Sequence, residues 1–168
     1  MKNKSAIIKF REKYFDNYSK RNMTIYLVLR ALVLLTLVRQ IFMGNFNNVF
    51  LCGLTLILFV LPAVIEKKFN LALPDALHVL ILLFIYSAEI LGEIGSFYTH
   101  VTFWDTMLHT LNGFLMAAIG FALIDILNNS PKFHISMSPI FVAFVAFCFS
   151  MTAGVVWEFF EFFMDYFT

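Results

Sequence analysis

Residues 105–125 read DTMLHTLNGFLMAAIGFALID, an apolar stretch bounded by two aspartates. A helix needs about 20 predominantly apolar residues to cross the hydrocarbon core of a membrane, and this stretch has that length. Near its start, His109 follows Asp105 by one helical turn. The stretch therefore predicts a transmembrane helix with an aspartate and a histidine close to one end.

The rest of the chain has the same apolar character. Hydrophobic residues make up 61% of the sequence and charged residues 14%, whereas an ordinary soluble domain is about 45–50% apolar and about 25% charged. The net charge of +1 indicates no nucleic-acid partner. Cys52 and Cys148 lie in apolar runs without metal-site or disulfide spacing, so both are expected to be small buried hydrophobes. This composition predicts an integral membrane protein.

Five apolar stretches are long enough to span a membrane, and turn-forming or charged residues separate them. The predicted spans are residues 23–43, 49–65, 75–91, 105–125 and 138–160. The predicted fold class is therefore all-α, a polytopic membrane helix bundle with residues 23–168 in a single transmembrane domain.

The basic residues predict the orientation of these spans. All lysines and arginines except Arg30 and Arg39 lie outside the spans. If the chain crosses the membrane five times, the segments that contain them all lie on the same side. The positive-inside rule assigns that side to the cytoplasm. We expect a multi-pass protein of the bacterial cytoplasmic (inner) membrane, with its N-terminus inside and its C-terminus outside. Residues 1–22 predict either a basic amphipathic segment at the cytoplasmic surface or a solvated basic tail.

Ionisable residues inside spans are rare, and most of them are paired or functional. The predicted topology brings one set of them, from four helices, to the outer end of the bundle. Six members of the set form three pairs, and the two residues of each pair are three or four positions apart, which puts them on one helix face. The pairs are Glu89 and Glu93, Asp105 and His109, and Glu158 and Glu161. The set consists of Arg39, Glu89, Glu93, Asp105, His109, Glu158 and Glu161.

Carboxylates and a neutral imidazole are the side chains that bind zinc, iron or manganese. The predicted ligands of a divalent metal are Asp105, His109, Glu158 and Glu161. Asp105 has a second possible role, which is to orient His109 from outside the ligand set. In the same hypothesis Glu89 or Glu93 is a catalytic general base, and Arg39 binds an anionic group of the substrate, such as a phosphate.

Two other interpretations of these residues need no cofactor. In the first, Arg39 neutralises nearby carboxylates within a buried ion-pair or proton network. In the second, the acids simply face the outer solvent. The sequence thus leaves two functions open: a metal-dependent enzyme acting on a lipid-linked, envelope or anionic small-molecule substrate, or a non-enzymatic protein that binds lipid or packs against other subunits. It does not indicate an oligomeric state.

Two motifs carry a family resemblance. The stretches WDTMLHTLNGF (104–114) and GVVWEFFEFF (154–163) resemble the YjdF-like family of small bacterial inner-membrane proteins. The resemblance implies an Asp-x-x-x-His-x-x-x-Gly motif on one span and an aromatic-Glu-x-x-Glu motif on the last. The first motif is also similar to that of VanZ-like membrane proteins, which are linked to teicoplanin resistance. The resemblance covers the fourth and fifth spans and implies no particular activity.

A few other residues predict structure rather than chemistry. Asp75 and His78 lie at the start of the third span, where helix capping is their expected role. Gly113, Ala117 and Gly120 form a stripe of small residues on the fourth span. Such stripes let membrane helices approach closely, so we expect the fourth span to be central in the bundle.

Overall fold

The computed structural model describes residues 19–69, 73–128 and 137–167, and every regular element in these ranges is helical. The predicted N-terminal segment, apart from its last few residues, lies outside the described residues, as does the loop that carries Lys132. The helices are α1 (Lys20–Phe42), α2 (Phe46–Leu58), α3 (Leu61–Phe69), α4 (Asp75–Tyr86), a π-helix (Ser87–Ile94), α5 (Phe97–His100), α6 (Trp104–Asn128) and α7 (Pro139–Phe167).

Five helical stretches are long and apolar enough to cross a membrane. They are Lys20–Phe42, Phe46–Lys68, Asp75–Ile94, Trp104–Asp125 and Pro139–Phe159. The predicted all-α fold with five spans is therefore confirmed, with ends that differ from the predicted ones by a few residues. The orientation of the termini stays a prediction.

The chain divides into two compact units, Met1–Thr102 and Phe103–Thr168. The described part of the first unit contains α1 to α5 and the π-helix. The second contains α6 and α7. The prediction of a single transmembrane domain over residues 23–168 stays a prediction.

The core of the first unit forms along one face of α1. Tyr26, Leu29 and Val33 recur at helical spacing and are buried, as expected for the inward face of an amphipathic helix. They belong to one cluster with Cys52 of α2 and with Phe59, whose ring centroid is 6.3 Å from that of Tyr26. The burial of Cys52 agrees with its predicted role as a small hydrophobe.

The second span is broken, although the sequence predicted one continuous helix there. α2 ends at Leu58 and α3 begins at Leu61, with a turn between them. Pro62 explains the break, because a proline has no N–H to donate and its ring collides with the carbonyl four residues earlier, here that of Leu58. The backbone of the turn still forms hydrogen bonds, since Phe59 N donates to Thr55 O at 3.0 Å.

The third span changes from α-helix to π-helix at Ser87. Gly95 N donates to Ile90 O at 2.8 Å, a bond to the fifth preceding residue. A β-carbon at Gly95 would lie 2.6 Å from the carbonyl oxygen of Leu91, so this ending requires glycine. The wider turn also alters the geometry of Glu89 and Glu93, whose shared face was predicted from α-helical spacing.

The second unit is a closely packed helix pair. A β-carbon at Gly120 of α6 would lie 3.2 Å from Cα of Ala146 and 3.0 Å from Cβ of Phe149, both on α7. A hydrogen bond also joins the two helices, since Ser150 Oγ on α7 donates to the carbonyl oxygen of Gly113 on α6 at 2.7 Å. The prediction that small residues on the fourth span allow close packing is confirmed at Gly120.

Candidate functional site

The second unit brings three of the predicted site residues together. Asp105 and His109 occupy successive turns at the start of α6, and Glu158 projects from α7. His109 Nε2 lies 3.4 Å from Asp105 Oδ1, and His109 Nδ1 lies 3.7 Å from Glu158 Oε1. The imidazole therefore lies between two carboxylates that come from different helices.

The two carboxylates differ from the imidazole in exposure. The His109 side chain is 35% exposed, whereas those of Asp105 and Glu158 are 63% and 69% exposed. A half-buried ring is held in place by packing, while the exposed carboxylates stay accessible to a polar ligand. This combination suits a binding site better than it suits a stabilising ion pair, because exposed pairs contribute only about 0–1 kcal/mol to stability.

The two carboxylates lie on different sides of the imidazole. Asp105 and Glu158 face different ring nitrogens, and these nitrogens point in diverging directions. In this arrangement, a metal ion bound to one nitrogen of His109 therefore cannot also bind both carboxylates. When one ring nitrogen of a histidine binds a metal, a carboxylate that accepts a hydrogen bond from the other nitrogen commonly orients the ring. The two roles predicted for Asp105, as a metal ligand or as the residue that orients His109, stay predictions.

The gap between His109 and Glu158 has the size of a ligand pair. Two ligand atoms about 2.1 Å from a tetrahedral metal lie about 3.4 Å apart, close to the observed separation of Nδ1 and Oε1. Among the side chains that the structure describes, no group of three or more His, Cys, Asp or Glu residues could hold a metal. The side chain of Glu161, the fourth predicted ligand, lies outside the described residues.

An apolar groove continues along the same helix pair. Its volume is about 360 Å³, and it is lined by Thr110, Gly113, Phe114, Ala117, Ala143, Ala146, Phe147 and Ser150. Gly113 follows His109 by one turn of α6, so the groove begins next to the polar residues. Small side chains leave the space open, and Phe114 and Phe147 provide apolar walls.

The other three predicted site residues belong to the first unit. Arg39 is exposed in the last turn of α1, and the π-helix carries Glu89, which is partly buried, and Glu93, which is exposed. Among the described residues no ion pair joins Arg39 to either glutamate. The ion-pair alternative is therefore not supported for these three residues. A single cluster of all seven predicted residues stays a prediction.

Sequence reasoning missed the most buried polar contacts of the first unit. His78 Nε2 lies 2.9 Å from Glu66 Oε1, and the two side chains are 5% and 11% exposed. The same oxygen accepts a bond from Leu73 N at 2.8 Å. The capping role predicted for His78 is therefore wrong: the ring bonds across the loop between α3 and α4.

A second contact ties α1 to the start of α4. The fully buried Asn22 donates from Nδ2 to Asp75 Oδ1 at 3.0 Å. Asp75 lies in the first turn of α4 and forms no side-chain cap bond there. The sequence signal for these contacts was weak, and consisted only of polar residues at the ends of three apolar stretches.

Comparisons with known proteins agree with the membrane fold. A family model described as "Predicted membrane protein (DUF2238)" matches residues 23–168, which include all five predicted spans. An uncharacterized protein of Thermotoga maritima is 26% identical over 104 residues, which are 62% of this chain and 52% of that protein. This chain thus spans about half the length of that relative. No solved structure matches the chain.

These matches define a family without defining an activity. The resemblance to the YjdF-like and VanZ-like proteins stays a prediction. Because the family model extends over all five spans and both helices of the site, the chain belongs to the DUF2238 family of predicted membrane proteins.

Proposed function

We propose that this protein acts on the polar head of a lipid-linked substrate at the Asp105–His109–Glu158 site. The observation that carries the proposal is the continuity of the site with the apolar groove, since Gly113 lines the groove one turn beyond His109. An amphiphilic molecule fits both parts at once. Its head would contact the exposed carboxylates and the imidazole, and its hydrocarbon chain would lie along Phe114, Ala117 and Ala146.

The proposed location is the bacterial cytoplasmic membrane, with this site on the outer side. The distribution of lysine and arginine supports that orientation, and the relative in Thermotoga maritima comes from a bacterium. Asp105 at the start of α6 and Glu158 near the end of α7 would then meet the outer solvent. Substrates there include lipid-linked precursors of the cell envelope.

The proposed chemistry is activation of a water molecule by a divalent metal that His109 helps to hold. Asp105 holds Nε2 and so leaves Nδ1 directed toward Glu158, where zinc, iron or manganese would bind between them. Glu161 follows Glu158 by one turn and would be a further ligand. When bound, the metal would lower the pKa of a coordinated water, which makes hydrolysis of the head group the simplest reaction.

The roles predicted for three residues of the first unit stay predictions. They are phosphate binding by Arg39 and general-base catalysis by Glu89 or Glu93. A second candidate is a site that binds a lipid head without turnover, which is favoured by the absence of a third metal ligand among the described side chains.

Substrate turnover is tested by lipid analysis of cells that overproduce the full chain. We expect the wild-type protein to change the abundance of at least one membrane lipid or lipid-linked precursor, as seen by untargeted mass spectrometry of lipid extracts. His109→Ala is expected to abolish that change, because it removes one of the residues that would hold the metal. Glu158→Gln is expected to reduce it as well.

The matched control is His100→Ala, which removes an exposed histidine whose bonds to described residues are made nearby, to Ser96 O and Thr99 Oγ1. It is expected to behave like the wild type. Equal changes with wild-type protein and His109→Ala would exclude the site from the reaction. If no lipid species changes at all, the non-enzymatic lipid-binding function replaces the enzymatic one.

A further inference from the structure

A second groove lies in the first unit, between Arg30 of α1 and residues of the second span. Its volume is about 430 Å³, within the usual range of about 300–1,000 Å³ for small-molecule sites. Its walls are Arg30, Leu56, Ile57, Val60, Leu61 and Val64. The groove follows the break between α2 and α3, so the interruption caused by Pro62 shapes one of its walls.

Of the described residues that line this groove, Arg30 is the only polar one. Its Nη1 donates to the hydroxyl of Tyr26, and its guanidinium lies 5.7 Å from the centre of the Tyr26 ring. Among the residues that the structure describes, no carboxylate lies within ion-pair distance of it. A guanidinium has several donors, and Tyr26 accepts only one of them. The groove therefore has a positive charge without a matching negative charge.

The position of Arg30 along α1 indicates where that negative charge would come from. Arg30 lies about 15 Å from Lys20, at about 1.5 Å per residue. Helical side chains point toward the N-terminus of their helix, so the guanidinium reaches back toward the basic end of the first unit. Its contact with Tyr26, one turn closer to Lys20, shows that direction. Long basic side chains near helix ends commonly reach the lipid head groups in this way.

The opposite wall begins at the same basic end. Val64 precedes Lys67 and Lys68 by one turn, and both lysines are exposed. From Val64 to Leu56 the wall extends over about 12 Å, which is most of one leaflet of a hydrocarbon core about 30 Å thick. The groove therefore has basic residues at its mouth, a guanidinium at intermediate depth and an apolar wall long enough for an acyl chain.

We propose that this groove binds one anionic phospholipid, with its phosphate on Arg30 and one acyl chain along Leu56, Val60 and Val64. The site lies within the first unit and does not depend on the proposed reaction at His109. Charge complementarity selects an anionic head group over a zwitterionic one, because the lysines at the mouth attract net negative charge. The lipid offsets the unfavourable placement of an arginine within a span.

The test is native mass spectrometry of the full chain, released from nanodiscs of phosphatidylcholine with a minor fraction of phosphatidylglycerol. We expect wild-type protein to retain one phosphatidylglycerol in preference to phosphatidylcholine. Arg30→Gln is expected to weaken retention about tenfold or more, since bonds to a charged group contribute about 1.5–3 kcal/mol. The control His100→Ala, at an exposed position outside the groove, is expected to retain the lipid.

A second variant tests the apolar wall without changing charge. Val60→Phe fills the groove and is expected to reduce retention, whereas Leu35→Phe, at an exposed position of α1 outside the groove, is expected to have no effect. If Arg30→Gln fails to fold, lipid retention by Val60→Phe still tests whether the groove binds the phospholipid. Equal retention of phosphatidylglycerol and phosphatidylcholine by the wild type, or full retention by Val60→Phe, would overturn the proposal.

Discussion

Glu66→Ala is expected to lower the free energy of unfolding by about 1–3 kcal/mol, the usual effect of removing one partner of a buried hydrogen bond. Glu66 contacts His78, and both side chains are almost completely buried. The same carboxylate oxygen also accepts the bond from Leu73 N, so the substitution removes two contacts from the loop between α3 and α4. Thermal unfolding in detergent micelles, followed by circular dichroism, measures the loss.

Two controls distinguish the loss of the contact between Glu66 and His78 from the general effect of removing a charged side chain. Glu66→Gln keeps an oxygen that accepts from Leu73 N and faces His78, so its effect is expected to be smaller than that of Glu66→Ala. Glu93→Ala removes an exposed glutamate from the same unit and is expected to leave stability nearly unchanged. Equal stability of Glu66→Ala and Glu93→Ala would show that the contact does not stabilise the fold.

Gly120→Leu is expected to destabilise the α6–α7 pair by about 1–3 kcal/mol or more, the usual effect of overpacking a close contact. Even a β-carbon at Gly120 comes close to Ala146 and Phe149, and the remaining atoms of a leucine would have to enter the same space. The helices would then separate, and the contact between His109 and Glu158 would open with them. Thermal unfolding of the purified variant reports the first effect.

The matched control for this substitution is Gly154→Leu on α7. Among the described residues, no atom outside the neighbouring backbone of α7 lies within 4 Å of a β-carbon placed at Gly154, so a leucine fits there without displacing α6. Gly154→Leu is expected to unfold at or above the wild-type temperature, because leucine has the higher helix propensity. A Gly120→Leu protein as stable as the Gly154→Leu protein would contradict the close packing of α6 and α7.

The spans could be predicted because membrane crossing leaves a strong signal in length and composition. Their internal irregularities could not be predicted equally well. Pro62 was visible as a helix breaker within the second span, and its effect follows from covalent geometry alone. The π-helix packs closely against a residue beyond the end of the span, since a β-carbon at Gly92 would lie 2.4 Å from Cε2 of Tyr98, and spacing within the span does not reveal this contact.

The candidate site was predicted in part for a similar reason. Depth along alternating spans suggested that Asp105, His109 and Glu158 lie at one level, and the structure brings these three together. Which ring nitrogen faces which carboxylate depends on side-chain conformation, so sequence spacing could not give it. The pair of Glu66 and His78 was missed because it depends on the path of the loop between their helices, which no periodicity encodes.

The central claim is that His109 and Glu158 bind one divalent metal, with Asp105 orienting the imidazole. Elemental analysis of the full chain, purified in detergent and loaded with zinc, iron or manganese, tests it most directly. The account predicts stoichiometric metal in wild type and His100→Ala, none in His109→Ala or Glu158→Gln, and about 10–100-fold weaker binding in Asp105→Asn. Wild-type protein without metal after loading, or equal metal in wild type and His109→Ala, would contradict it.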